Sequence, residues 1–292
     1  MAAGTTHSRA VASTRGARSR AMATRRRYFD DSYAFESRSR VVRTRRASDG
    51  DGADDVVVVL DETIAYPAGG GQPCDRGKMT SATGATFAFE RVRGLADGTI
   101  EHEGRFEAGT AFGDGEDVDV VVDGALRLLH ARIHSAGHAL DVAMIRIGLG
   151  PEVLMPTKGV HEPTRAYVEY QGKLAPEHEY ADVDALTTRL NVEMKRIIEE
   201  NGASVAEELA FEDAKAACGG ELPPFITPDM TPRIVTILPD TPGCPCGGTH
   251  VKAMSEIEDF RLTGVRTKKG VTRLSYAIPG METWAVGKTV KE

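Results

Sequence analysis

Residues 118–150 read VDVVVDGALRLLHARIHSAGHALDVAMIRIGLG, and the hydrophobic period changes within them. Val118 to Val122 reads as a short β-strand. From there Leu126, Leu129, Ile133, Ala136, Leu140, Ala143 and Ile147 step by three and four, which predicts one buried face of an amphipathic helix stopped at Gly148 and Gly150. The chain is therefore expected to be built of strands before about residue 124, with a helix-containing part after it.

Toward the N-terminus, Ser39 to Arg45, the β-branched run Val56 to Leu60, Thr86 to Val92 and Thr99 to Glu103 read as short strands. A turn-rich insert fills Ala47 to Asp55, and Tyr66-Pro-Ala-Gly-Gly-Gly-Gln72 is a loop by composition. This spacing predicts a small antiparallel β-barrel for residues 28–124. Toward the C-terminus, Arg165 to Tyr170 reads as a strand. Asp182 or Asp184 can cap a second helix carrying Leu186, Leu190, Met194 and Ile197, with Asn201-Gly202 ending it. Glu212 to Cys218 is a third helix. Ile234 to Leu238, Phe260 to Thr267 and Thr272 to Ala277 are strands. Residues 125–292 are thus expected to form an α+β domain, and the whole chain is α+β.

The composition suits a water-soluble globular chain: of 292 residues, 41% are hydrophobic and 27% charged. No run approaches the roughly 18 apolar residues of a membrane span. Four cysteines do not make a disulfide scaffold, and no apolar segment near the N-terminus marks a secretory signal, so the thiols are read as free for chemistry or metal. The net charge of −7 is uneven. Residues 1–27 hold seven arginines and no acid, leaving 29 Lys+Arg against 43 Asp+Glu, or −14, for the remainder. An acidic body argues against coating nucleic acid by bulk attraction and leaves room for a local basic patch. Residues 1–27 read as a disordered basic leader or an organellar transit peptide, with Met22 an alternative start. The expected compartment is the cytoplasm, or a mitochondrion or chloroplast if the leader is a transit peptide.

The predicted helix carries His130, His134 and His138. Side chains four apart share a face, so His134 and His138 can bind one ion together. Ser135 follows His134, so the H-E-x-x-H pattern and its general base are absent. Ordinary helix histidines are the plainer alternative for this pair alone. Far along the chain, Cys244-Pro-Cys246-Gly-Gly-Thr-His250 puts a thiol and an imidazole four apart on a glycine-rich turn. Together the two clusters offer a tetrahedral set of three nitrogens and one sulfur, which suits Zn²⁺. Cys246 is preferred to Cys244 as the sulfur donor because of its spacing to His250. His130 is expected to be a partly exposed helix residue.

These residues resemble a family. His134-Ser-Ala-Gly-His138 with Cys246-Gly-Gly-Thr-His250 is similar to the editing domain of alanyl-tRNA synthetases. Leu60-Asp-Glu-Thr-Ile-Ala-Tyr-Pro-Ala-Gly-Gly-Gly-Gln-Pro73 is similar to the glycine-rich segment before it. The resemblance covers about residues 28–278. Since the chain is too short for a synthetase, it resembles a free-standing alanyl-tRNA editing protein of the AlaX type. The resemblance implies hydrolysis of the ester in Ser-tRNA(Ala), and also of Gly-tRNA(Ala), with no ATP requirement. The threonyl-tRNA synthetase editing domain shares part of the metal pattern.

Family alignment also places Thr157 at a substrate-contacting position, the alternative being a turn threonine that caps local backbone. Gly69, Gly70, Gly71 and Gln72 could approach the aminoacyl end of the tRNA, or simply form a tight loop. Lys268, Lys269 and Arg273, with Arg261 and Arg266 near, could meet tRNA phosphates. No catalytic residue is assigned. A tRNA-binding protein with a purely structural zinc is the competing reading, since structural sites use the same ligands.

Overall fold

The computed structural model describes residues 23–47 and 55–283. In chain order its elements are β1 (Arg25–Arg26), α1 (Arg27–Asp30), β2 (Glu36–Arg46), β3 (Val56–Leu60), β4 (Glu62–Thr63), β5 (Gly77–Ser81), β6 (Thr86–Gly94), β7 (Ile100–Ala108) and β8 (Asp117–Val122). Then follow α2 (Gly124–Arg146), β9 (Met155–Glu162), β10 (Arg165–Gln171), α3 (Val183–Glu200), β11 (Val205–Glu208), α4 (Phe211–Ala217), β12 (Arg233–Thr236), β13 (Cys244–Pro245), β14 (Arg261–Lys268) and β15 (Val271–Ala277).

Strands β2, β3, β7, β6, β5 and β8 pair in that order into a closed antiparallel barrel. The alternation in β8 shows why: Val118, Val120 and Val122 are buried, while Asp119 and Val121 face out. Phe87, Phe89, Met79, Ile100 and Leu60 fill the interior with them. One imidazole is buried there too. His102 donates from Nδ1 to Val58 O (3.1 Å) and accepts from the Thr63 hydroxyl at Nε2 (2.9 Å), so both nitrogens are satisfied.

The second half is α+β, with a four-stranded sheet in the order β14-β15-β10-β9. Helix α2 lies at its centre. Asp123 caps it by accepting from Leu126 N (3.0 Å), and Asp182 caps α3 through Ala185 N (2.8 Å). Asn201, in the left-handed region at φ 50°, ends α3 as anticipated. Helix α2 is buried on more than one side, since α3, strands β9 and β10 and the barrel junction all pack on it. Ala131, Ala136, Gly137, Ala139 and Ala143 let those neighbours come close.

The barrel is fixed to α2 by a buried ion pair. Both Arg127 and Asp75 are almost wholly excluded from solvent. Arg127 Nε lies 3.0 Å from both Asp75 oxygens, Nη2 also meets Asp75 and Ile64 O, and Nη1 donates to Ser32 O. Asp75 accepts in addition from Tyr66 N (2.6 Å). All three guanidinium nitrogens and both carboxylate oxygens are thus engaged, which is the condition under which a buried pair is tolerated.

Three expectations need correction. His130 is 2% exposed rather than partly exposed, and Asp75 and Arg76 from the first half of the chain lie close enough to act on its ring. Strand β9 was not anticipated: Pro156 and Gly159 disrupt its pattern, and Thr157 is the extra residue of a β-bulge against Glu169/Tyr170. Strand β5 was missed because only Met79 and Ser81 face inward. The anticipated leader, residues 1–27, lies largely outside the described residues, as does Met22. Its last residues are folded, with Arg25–Arg26 pairing in parallel with Glu62–Thr63. Among the described residues no helix is long and apolar enough to cross a membrane.

Candidate metal centre

His134 and His138 project from α2 one turn apart, with ring centroids separated by 5.1 Å. The turn after β13 brings Cys246 and His250 to meet them. The four donor atoms of His134, His138, Cys246 and His250 lie within 4.8 Å of one another, an arrangement that could hold a metal ion. Cys246 Sγ is 3.5 Å from His134 Nε2 and 3.3 Å from His250 Nε2. Cys244, the competing thiol, is exposed on β13 and outside the cluster.

The turn's glycines make the approach possible. A Cβ on Gly248 would collide with the His134 ring. Gly248 N also donates to Cys246 Sγ (3.3 Å), and Arg233 Nη1 ties the turn down through Cys246 O and Gly248 O, both at 2.9 Å.

The backs of two of the three liganding rings, His134 and His250, are also held. Gln72 Oε1 accepts from His134 Nδ1 (2.8 Å) and from Thr249 N (3.1 Å), while Gln72 Nε2 donates to Thr249 Oγ1 (2.9 Å). Ser135 Oγ lies 3.1 Å from His250 Nδ1 and accepts from Val251 N (3.1 Å). In both rings the inner partner engages Nδ1 and leaves Nε2 turned into the cluster, which is how ligating histidines are commonly oriented.

Burial sets the protonation. It holds His134 and His250 well below the ordinary imidazole range and His138 at about 4, with the neighbouring imidazoles and the Arg233 cation acting in the same direction where they reach. The rings are thus neutral, as metal ligation requires. Burial raises the Cys246 thiol, while Gly248 N–H and Arg233 oppose that shift and favour the thiolate.

The glycine-rich loop closes one side. Gly69 and Gln72 exchange backbone hydrogen bonds (2.9 and 3.1 Å) around Gly70 (φ 54°) and Gly71 (φ 81°), a turn that needs left-handed backbone at both central positions. A Cβ on Gly70 would stand 4.0 Å from His134 Cε1, and Gly71 packs so tightly on Gly159 that a Cβ there would overlap its carbonyl. Gln72 is 2% exposed, its amide committed to His134 and Thr249. Thr157 lies on β9, exposed, donating to Glu169 O (3.0 Å). Arg266, Lys268 and Lys269 are exposed on the β14–β15 hairpin, and Arg273 stacks over Tyr167 (4.0 Å) while pairing with Glu169 (2.6 Å).

One site residue gave no sequence signal. His161 of β9 is 4% exposed and stacks on the His134 ring with centroids 4.5 Å apart and an interplanar angle of 20°. Burial lowers it to about 3.

Residues 233–275 match the family described as the threonyl and alanyl tRNA synthetase second additional domain, and residues 8–126 match class II (A) tRNA synthetases. An alanine–tRNA ligase of Halobacterium salinarum is 32% identical over 260 residues, covering 86% of this chain and 25% of the ligase. The alanyl-tRNA editing protein AlaX-M of Pyrococcus horikoshii is 28% identical over 235 residues, covering 80% of this chain and 88% of that protein. AlaX-M of Methanosarcina barkeri is 28% identical over 252 residues, covering 85% and 96%. The chain thus spans about a quarter of the length of the ligases it matches and nearly the whole of the AlaX-M proteins.

Proposed function

Because this chain resembles the alanyl-tRNA editing proteins along most of its length, we propose that it is an aminoacyl-tRNA deacylase that hydrolyses the ester of mischarged Ser-tRNA(Ala), and of Gly-tRNA(Ala), using a zinc ion. The reading rests above all on one observation: the glycine-rich turn lies beside the His/Cys cluster, its Gln72 bonded to His134 (2.8 Å) and a Cβ on Gly70 only 4.0 Å from the His134 ring. A backbone without side chains there leaves room for an aminoacyl ester beside the metal ligands.

The donors suit zinc. Tetrahedral zinc with ordinary bond lengths separates a ligating sulfur and nitrogen by about 3.5 Å, and the two contacts of Cys246 Sγ are 3.5 and 3.3 Å. His134, His138, Cys246 and His250 would hold the ion, which when bound supplies positive charge to position or polarise the ester. Gln72 and Ser135 keep the His134 and His250 rings aimed. Arg233 braces the turn and favours the Cys246 thiolate. Gln72 of the loop and His161 of β9 both lie against the His134 ring. Ester hydrolysis is downhill and calls for no ATP. Editing has a physical reason, because an alanine-sized pocket rejects serine or glycine by only about 1–3 kcal/mol. The exposed cations of the β14–β15 hairpin suit contact with tRNA phosphates.

The test is deacylation of Ser-, Gly- and Ala-tRNA(Ala) by the full chain, with Cys246→Ala as control and zinc measured in both. Selective loss of serine that the substitution abolishes supports the reading. Bound zinc without deacylation would make the protein a tRNA-binding one with a structural ion.

A further inference from the structure

His161 is held more firmly than a neighbour of the cluster needs to be. Its Nδ1 is 2.7 Å from Tyr276 Oη, and that hydroxyl also reaches Ile133 O at 2.9 Å. A carbonyl can only accept, so Tyr276 spends its single proton on Ile133. The short contact to His161 then requires Nδ1–H to be the donor. In the neutral ring this leaves Nε2 without a proton, a bare acceptor. Among the described residues Nε2 has no hydrogen-bond partner.

Three glycines shape the space around the ring. A Cβ on Gly137 would collide with its Cε1, and one on Gly159 with Nε2 itself. A Cβ on Gly71 would lie 3.2 Å from Cδ2. The His161 N–H donates to Gly71 O (2.8 Å), so the residue is tied to the glycine-rich turn as well. A side chain merely filling space beside His134 needs neither the fixed tautomer nor the glycine lining.

We propose that His161 is a specificity-determining residue, its Nε2 accepting a hydrogen bond from the side-chain hydroxyl of a seryl ester. The inference rests on the deacylase reading above. The charges nearest the site favour a neutral donor over the substrate's ammonium: the groups acting on these histidines are other imidazoles and the Arg233 guanidinium, with no carboxylate among them. With zinc bound, the Cys246 thiolate would offset only one of the ion's two charges, so an ammonium would meet net positive charge there, whereas a hydroxyl finds an acceptor in Nε2.

The experiment compares two non-hydrolysable ligands, 3′-amino-3′-deoxyadenosine carrying serine or alanine in amide linkage. They differ by one hydroxyl. Binding to the zinc-loaded full chain is measured by calorimetry, with zinc content checked for every variant. The wild type is expected to prefer the seryl ligand by about tenfold, the scale of one well-made hydrogen bond. His161→Leu should bring the ratio close to one while leaving zinc and alanyl affinity in place, and His161→Gln, which offers an acceptor oxygen, should restore part of the preference. In long-range ¹H–¹⁵N spectra the Nε2 of His161 should show the shift of an unprotonated nitrogen, and Tyr276→Phe should mix the tautomers even if the leucine variant fails to fold. Equal weakening of both ligands in His161→Leu, an unchanged seryl preference, no preference in the wild type, or a protonated Nε2 would each overturn the inference. Failure of the wild type to deacylate Ser-tRNA(Ala) would instead sink the deacylase reading, and it is read in a separate assay.

Discussion

Gln72 of the barrel accepts the Nδ1 proton of His134 at 2.8 Å, so a residue of the first half orients a ligand carried by the second. Removing the acceptor should loosen the ring without deleting a donor. Gln72→Ala is expected to weaken zinc binding by roughly 10–100-fold, measured by competition with a chromogenic chelator, with little change in circular dichroism. Wild-type zinc affinity in the variant would show that the contact does not orient the ligand.

The two thiols on the metal turn should separate cleanly. Cys246→Ser is expected to abolish stoichiometric zinc, because Cys246 supplies the sulfur of the cluster, whereas Cys244→Ser should retain it. Metal analysis after dialysis decides between them; zinc lost in both would implicate Cys244.

The Arg127–Asp75 pair predicts a large, asymmetric effect on stability. Asp75→Ala leaves a buried guanidinium without its carboxylate and should cost about 3–5 kcal/mol in urea unfolding. Replacing both partners with apolar residues should cost less than that single change. Similar costs for the two would argue that the Asp75 contact to Tyr66 N matters more than the charge pair.

His102 predicts a pH dependence unrelated to the metal. Unfolded, it takes up a proton near pH 6.5; in the barrel, burial holds it neutral to about 4. Between those values the unfolded chain binds more protons, so stability falls as pH falls through that window. The loss it contributes should total roughly 3 kcal/mol. Urea titrations of wild type and His102→Gln from pH 7 to 4 measure the difference in slope; parallel curves would remove His102 as a source.

The hairpin cations predict a salt-sensitive contribution to tRNA binding. Lys268→Glu with Lys269→Glu should raise KM for Ser-tRNA(Ala) more than it lowers kcat, and should flatten the dependence of binding on salt. An unchanged salt slope would place the tRNA backbone elsewhere.

The parts legible in the sequence were those whose burial leaves a periodic trace. Helix α2 shows its stripe from Leu126 to Ile147, and β8 alternates. His134, His138, Cys246 and His250 announced themselves by two short spacings. Strand β9 left no such trace, since Pro156, the bulge at Thr157 and Gly159 interrupt it and burial begins only at Val160. His161 and Tyr276 stand 115 residues apart, and only the finished sheet joins them. His130 misled because Asp75 and Arg76, more than fifty residues earlier in the chain, lie near its ring in the fold, and no local spacing marks that.

Strand β9 has a further consequence. It is the outermost strand of its sheet, and an edge of unpaired backbone groups is a template for another chain. Here Gly71 occupies one of those groups by accepting from His161 N, while Pro156, Lys158 and the bulge spoil the rest of the edge for pairing. The glycine turn is therefore also a guard against aggregation. A fragment lacking the barrel would bare this edge, and its first visible defect would be self-association rather than lost activity.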